Sequence, residues 1–308
     1  INKFHNTFLS SIMKYHVKGR IHGEINQLRS DNGGTVSGRL SMSNPNLQQV
    51  PARNKEFGPL IRSLFIPEEG QLWGSFDYSQ QEPRMTVHYA ASIGNGYAGS
   101  NELVEAYHTA STDFHQTVAD LVGIERTQAK TIGLGLMYGM GKNRLATSLG
   151  VSKEEANVLI SKYNRKVPFV KLLSDRCMQT ANDKGVIRTK KGRKCRFDMW
   201  EPKDFGLFTA ETFDNAVAKY GRDNIKRAYT YKALNRLIQG SSADQTKQAM
   251  LSCAEAGYLP IIQIHDELCF NITKKDIPTI KKIMEQCIEF KLPFVVDVKT
   301  GKSWGETK

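Results

Sequence analysis

Ile261-Ile-Gln-Ile-His265-Asp266-Glu267-Leu268-Cys-Phe-Asn-Ile272 sets two short apolar runs, Ile261–Ile264 and Leu268–Ile272, around a polar tripeptide. Runs of this length, bounded by polar residues, read as strands, and two of them this close read as a hairpin. A third run, Leu72–Phe76, follows Pro67 and Gly70 and ends at Asp77. A helix over 277–290 and a strand over 294–298 close the chain. Between these strand-bearing ends the apolar periodicity is helical, from about 103 to 182 and again from 226 to 256. The pattern predicts that the two ends share one sheet, with a helical block inserted between them. That is an α+β fold.

Working outward, residues 1–18 carry Phe4, Phe8, Ile12 and Tyr15 at helical spacing. Residues 79–92 read as a helix with Pro83 in its first turns, where a missing N–H is tolerated. Segments 31–54 and 94–101 are rich in Gly, Ser and Asn and read as loops. Gly185–Phe197 holds Arg188, Lys190, Lys191, Arg193, Lys194 and Arg196 around Gly192, the pattern of a basic hairpin.

Over 308 residues, 43 Lys and Arg stand against 31 Asp and Glu, a formal net charge of +12. Such an excess points to a polyanionic partner such as nucleic acid. Cys177, Cys195, Cys253, Cys269 and Cys287 form no CxxC pair, and no His stands at zinc-ligand spacing from them. Dispersed cysteines of this kind fit free core thiols in a reducing compartment. No apolar run reaches the roughly 18 residues of a membrane span, and no signal peptide is expected. Because the chain starts at Ile1 in helix-like sequence, a fragment of a longer protein is expected.

Two carboxylates stand at strand ends, Asp77 and Asp266. Taken singly, an Asp at such a place is usually a turn residue. If the two strands are neighbours, however, the carboxylates converge at one edge, and such a pair repels unless a cation lies between. Mg²⁺ is usually held by one or two carboxylates plus substrate phosphates. Two such ions about 4 Å apart suit in-line phosphoryl displacement. Arg126, Lys130, Leu134 and Tyr138 recur every four residues. On a helix they form one stripe about 18 Å long. Two cations at one end could bind a triphosphate, and the Leu and Tyr could meet sugar and base. An ordinary amphipathic surface helix has the same spacing. Gly133 and Gly135 remove side chains where a ligand or another chain could approach closely. His115, in Thr112-Asp113-Phe114-His115, is left undecided by helix patterning.

Three motifs in one order resemble those of the DNA polymerase I family, family A. Asp77-Tyr-Ser-Gln-Gln-Glu82-Pro-Arg84 resembles motif A, Arg126-x3-Lys130-x7-Tyr138-Gly139 motif B, and Gln263-Ile-His265-Asp266-Glu267 motif C. Ser37-Gly38-Arg39-Leu40-Ser41, Pro45-Asn46-Leu47-Gln48, Asn235-x3-Gln239-Gly240-Ser-Ser-Ala-Asp244 and Gly301-Lys-Ser-Trp304 extend the match from about residue 30 to the end.

The resemblance implies a right-hand polymerase: an antiparallel palm sheet, inserted helical fingers and little thumb. Residues 1–30 would end the thumb, 31–95 and 231–308 form the palm, and 96–230 the fingers, with an insertion near 198–225. It implies template-directed DNA synthesis from a primer 3′-hydroxyl, with release of pyrophosphate. Asp77 and Asp266 would hold two Mg²⁺ ions, or Mn²⁺ in their place, with the Tyr78 carbonyl completing a site. Lys130 would join them as a catalytic residue. Arg126, Lys130 and His115 would grip the triphosphate, with Gln80, Leu134 and Tyr138 also at the nucleotide and Glu82 a steric gate against ribose. Arg39 and Gln239 would read minor-groove acceptors, which are nearly alike for all base pairs and so test shape. Asn46, Gln48, Asn235 and His265 would support the duplex, and Glu267 would flank the metals.

The partners implied are primer-template DNA and deoxynucleotides. A monomer in the cytoplasm is expected, with no membrane and with a processivity or replisome factor left open. Leu134 stands where the family usually has Phe or Tyr, Pro83 where it has Leu, Gly141 where Ser is common and Tyr231 where some members have Arg. These departures and the insertion suggest a phage or viral source, which would place the chain in host cytoplasm. A single-subunit RNA polymerase shares the three-motif logic, but Glu82 and the Gln239–Asp244 segment oppose it. A non-catalytic nucleic-acid-binding module is opposed by the intact Asp77, Lys130 and Asp266.

Overall fold

The computed structural model describes residues 5–30, 33–51, 54, 56–109, 112–204, 206 and 208–307. These divide into two compact units, one of residues 1–81 and 242–308, the other of 82–241.

The first unit is built on a four-stranded antiparallel sheet. Its strands are β1 (Leu72–Tyr78), β2 (Ile262–Ile264), β3 (Glu267–Ile272) and β4 (Val296–Gly301), in the order β2-β3-β1-β4. The strands expected at the two ends of the chain therefore do share one sheet. Strand β1 is central, and Trp73, Gly74, Ser75, Phe76 and Tyr78 are buried on its two faces. Asp77 is the exposed exception.

On one face Phe76 meets Phe270 edge-on at 5.4 Å, and the Tyr78 hydroxyl donates to the Met284 carbonyl at 2.6 Å, fixing the helix Ile277–Gln286. The other face lies on a core of Ile12, Met42, Leu47, Val50, Ile61, Ile262 and Cys269, with Trp73 stacked on Trp304. Burying each such large apolar side chain contributes about 1.5–3 kcal/mol. Arg62 is buried here, its guanidinium 4.1 Å from the Trp304 ring and donating to the Pro51 and Val50 carbonyls.

The N-terminal stretch departs from the expected single helix. A short helical segment ends at Met13, and His16–Val17 pairs with Arg20–Ile21 in a hairpin. Lys18 and Gly19 both take positive φ, 48° and 80°, the backbone of a tight hairpin turn. A two-residue turn of that geometry overrides the helical spacing of the apolar residues around it.

The second unit is mostly helical: α1 (Gln81–Ala91, entering from the first unit), α2 (Ser100–Thr109), α3 (Phe114–Val122), α4 (Arg126–Met137), α5 (Lys142–Leu149), α6 (Lys153–Lys166), α7 (Pro168–Lys184), α8 (Phe213–Tyr220) and α9 (Ala233–Glu255, continuing into the first unit). Local signals set the boundaries. Asp113 caps α3, Ser152 and Glu155 form a reciprocal cap on α6, and Pro168 opens α7. The basic hairpin forms as expected, Val186–Arg188 pairing with Lys194–Arg196 around Gly192 at φ 83°. In the stretch expected as an insertion, Trp200–Pro202 pairs with Ile225–Arg227, and α8 lies between them in sequence. Phe205 and Leu207 of that stretch fall outside the described residues.

Among the described residues no helix is long and apolar enough to cross a membrane. All five cysteines are free, four of them buried.

Candidate active site

Strand β3 of the hairpin pairs directly with β1, so the condition for two converging carboxylates is met. Asp77 is opposite Glu267 on β3 and opposite Asp297 on β4. Residues directly opposite share a face of the sheet, so these three carboxylates form one row across three strands. Asp266 adjoins the row from the β2–β3 turn, where its carbonyl accepts from the Tyr78 N–H at 3.2 Å. Asp77 and Asp297 are exposed, Asp266 is half-buried and Glu267 is buried. Like charges in such a row destabilise a sheet unless a cation offsets them. The donors are all hard oxygens, suited to Mg²⁺ rather than zinc. Among the described residues, no group of three or more His, Cys, Asp or Glu could hold a metal ion unaided.

The turns that present these groups are strained in the same way. Gln80, just after β1, and His265, just before Asp266, both take left-handed φ, 53° and 56°. Non-glycine residues held there cost about 1–2 kcal/mol each and cluster at functional sites. Gln263 Nε2 donates to the His265 carbonyl at 2.7 Å, and Gln48 Nε2 donates to Gln263 Oε1 at 3.1 Å. The Asn46 side chain accepts from the Gln48 N–H and caps that turn. Arg39 and His265 line one small cleft with Lys247 and Gln263. All these residues lie in the first unit.

The other site residues lie in the second unit. Helix α4 buries Ala129, Ile132, Gly133 and Met137, and turns Arg126, Lys130 and Tyr138 to solvent with Leu134 half-buried. The stripe is therefore a real face of the helix. A Cβ on Gly133 would lie 3.0 Å from the Tyr163 hydroxyl, and one on Gly135 2.9 Å from Leu145. The close approach expected at these glycines is internal packing on α6 and α5, not a ligand contact.

Gly139 ends the helix at φ 67°, and a Cβ there would be 2.8 Å from the Tyr231 carbonyl oxygen. The Tyr138 hydroxyl donates to Glu82, whose side chain is nearly buried in α1. Motifs A and B thus meet through one hydrogen bond. Asn235 and Gln239 are half-buried on α9, one helical turn apart.

His115 stands at the start of α3 and is only 4% exposed. Burial lowers its pKa to about 4, assisted by Lys130 and Arg126, while Asp113 opposes the shift. The imidazole is therefore neutral at pH 7, and its buried Nδ1 has no partner among the described residues. Arg126 donates through Nε and Nη2 to Asp113 Oδ2, at 3.0 and 2.6 Å. Partial burial works to raise the Asp113 pKa, but hydrogen bonds from Arg126 and from the Gln116 and His115 N–H groups hold it below its ordinary value. No motif in the sequence marks Asp113 or Asp297. The signals were an N-cap residue type immediately before an apolar helix, and an acidic residue in the closing apolar run.

The family model described as DNA polymerase family A matches residues 1–306. The chain belongs to DNA polymerase family A. Among family relatives, it is 41% identical over 355 residues to a DNA-directed DNA polymerase of Pseudomonas phage M6, covering 100% of this chain and 50% of that protein. Identity to DNA polymerase I of Bacillus subtilis (strain 168) is 30% over 322 residues, covering 100% of this chain and 34% of that protein. A solved family structure, the POL domain of Pol1 from M. smegmatis in complex with DNA primer-template and dNTP, superposes with TM-score 0.76 at 28% identity. That match covers 98% of this chain and 50% of the other. The chain thus spans half or less of the length of the curated relatives named here.

Proposed function

We propose that this chain carries the polymerase centre of a template-directed DNA polymerase, adding deoxynucleotides to a primer 3′-hydroxyl and releasing pyrophosphate. The observation that supports the reading is the direct pairing of β1 with β3, with Asp77 opposite Glu267 and Asp297 and the Asp266 carbonyl accepting from the Tyr78 N–H. In this reading the first unit is palm and the second is fingers, with primer-template DNA and deoxynucleotides as partners.

Asp77 and Asp266, with the Tyr78 carbonyl, would hold divalent cations, Mg²⁺ or Mn²⁺. Bound there, the cations supply Lewis-acid stabilisation of the attacking and leaving oxygens. Glu267, buried beside Asp77, keeps the row acidic without itself facing solvent. Arg126 and Lys130 hold the triphosphate as exposed cations on one helix face, and Lys130 donates a proton to the leaving pyrophosphate. His115 contributes as a neutral imidazole. Glu82, held by the Tyr138 hydroxyl, crowds the 2′ position and rejects ribose. Leu134 packs against the sugar, and Gln80 supports the nucleotide from the strained turn after β1. Arg39, Gln239, Asn235, Asn46, Gln48 and His265 bear on the duplex end. Phosphoryl transfer asks for positioning and charge stabilisation more than covalent help, which this set of side chains supplies.

Primer extension with deoxy- and ribonucleotides tests the reading. Extension with deoxynucleotides alone is expected, and Asp266→Asn abolishes it while DNA binding survives. Extension that survives Asp266→Asn would remove Asp266 from the centre.

A further inference from the structure

We infer that Asp113 is a positioning residue for nucleotide binding, orienting Arg126 so that the outer edge of its guanidinium meets the triphosphate. The inference rests on the proposed polymerase reading and adds a residue that reading does not contain.

The geometry starts with one carboxylate doing two jobs. Asp113 Oδ1 accepts from the His115 and Gln116 N–H groups, at 2.9 and 3.1 Å, and so caps α3. Its other oxygen, Oδ2, accepts from Arg126 Nε and Nη2, at 3.0 and 2.6 Å. Arg126 is the first residue of α4. A single side chain therefore ties the start of α3, which bears His115, to the start of α4, which bears Arg126 and Lys130.

A guanidinium offers five donors in a rigid fork. Two are taken on the Nε–Nη2 edge by Asp113 Oδ2. The pair leaves the Nη1–Nη2 edge for a planar, bidentate phosphate contact.

Pair strength alone would make this contact unimportant. Both side chains are partly exposed, 46% for Arg126 and 35% for Asp113, and exposed ion pairs contribute little to stability. Orientation is a different effect. A free arginine loses several rotatable bonds when it grips a ligand, and a preordered one does not. The opposing effect is the negative charge of Asp113 near an incoming polyanion. It is screened by solvent at this exposure and largely offset by Arg126 itself. Ordering therefore outweighs repulsion, and the effect belongs in KM for the nucleotide rather than in melting temperature.

Asn caps a helix as well as Asp does but carries no charge. Asp113→Asn therefore removes the ion pair and keeps the cap. In primer extension by the full chain, Asp113→Asn is expected to raise the deoxynucleotide KM roughly 3- to 10-fold, the ordering cost of one long side chain. The change in kcat is smaller, and the melting temperature without ligand is unchanged. In an Arg126→Ala background the same substitution adds nothing, because the two act as one unit. The stabilisation given by saturating deoxynucleotide, read as a melting shift without turnover, shrinks in the same order.

An unchanged KM in Asp113→Asn overturns the inference and leaves Asp113 a helix cap, with damage confined to Asp113→Ala. A lowered KM also overturns it, since the carboxylate would then compete with phosphate for Arg126. Equal effects with and without Arg126 overturn it as well. A wild-type chain that extends primers while Asp113→Asn matches it defeats this inference alone. A wild-type chain that neither extends primers nor is stabilised by deoxynucleotide defeats the polymerase reading and this inference together.

Discussion

His115 ties the stability of the second unit to pH. It is 4% exposed, and burial lowers its pKa from 6.5 to about 4. The unfolded chain binds this proton first as pH falls, so its folded state is favoured above pH 6.5 and loses that advantage on acidification. The loss runs from pH 6.5 down through 4 and is constant below. In full it amounts to about 3 kcal/mol, of which about 2 kcal/mol is gone by pH 5.

Gln is neutral at every pH, so His115→Gln removes the linkage while keeping a polar side chain of similar length. Urea unfolding followed by far-ultraviolet circular dichroism, at pH 8, 6 and 5, gives the difference in unfolding free energy between the two proteins. All other titrating groups are common to both and cancel in that difference. The variant is expected to gain about 2 kcal/mol on the wild type between pH 8 and pH 5. A difference that stays constant across this range would falsify the assignment of His115 as a buried neutral imidazole.

Gly139→Ala forces a left-handed φ on a residue with a Cβ and drives that Cβ against the Tyr231 carbonyl, so a loss of about 1–2 kcal/mol is expected in thermal melting. Unchanged melting would mean that the end of α4 repacks freely. Leu134 offers no ring face to a nucleotide sugar, so Leu134→Phe is expected to change the ratio of dideoxy to deoxynucleotide incorporation; identical ratios in primer extension would take Leu134 out of the nucleotide contact. Gln263→Leu removes the amide that donates to the His265 carbonyl and the Oε1 that accepts from Gln48, whose bonds to the Leu40 and Gln263 carbonyls remain, at a cost of about 1 kcal/mol. A lower kcat at saturating nucleotide is expected with it, and full kcat would separate the strained turn from catalysis.

The sheet was legible because its strands advertise themselves. β1 and the two hairpin strands are short apolar runs, the hairpin stopped by the His265-Asp266 turn, while β1 runs one residue past Asp77 to Tyr78. What a single sequence does not give is pairing order, which depends on contacts between residues nearly 200 positions apart. Only the structure sets β3 against β1, with Glu267 opposite Asp77 and the Asp266 carbonyl on the Tyr78 N–H. The apolar spacing conceals the N-terminal hairpin because Phe8 and Ile12 do occupy one short helical stretch. The stop lay in Lys18-Gly19, a positive-φ pair whose first member is an unusual residue for that conformation. Strand β4 runs over Val296–Gly301 and not the 294–298 expected from sequence, because Lys299 and Thr300 are exposed and break the apolar run. On an edge strand, polarity is no argument against pairing.

Site residues divide by a related distinction. The exposed face of Arg126 and Lys130 follows from period alone, while a nucleotide-binding role for them came only as what the family resemblance implies. Gln48 follows a different logic. Its amide donates to the Leu40 carbonyl at 3.3 Å, the Gln263 carbonyl at 3.2 Å and Gln263 Oε1 at 3.1 Å. Its donors are thus turned inward, onto the residue that holds the His265 turn. A polar side chain in a motif can act on a ligand or on the backbone that presents the ligand's partner, and the residue type is the same in both cases. Asp113 shows the same ambiguity, since a cap residue and an arginine's partner are both simply Asp. Residue type does not separate a ligand contact from a support of the backbone, whereas hydrogen bonds such as those from Gln48 to Gln263 show the support directly.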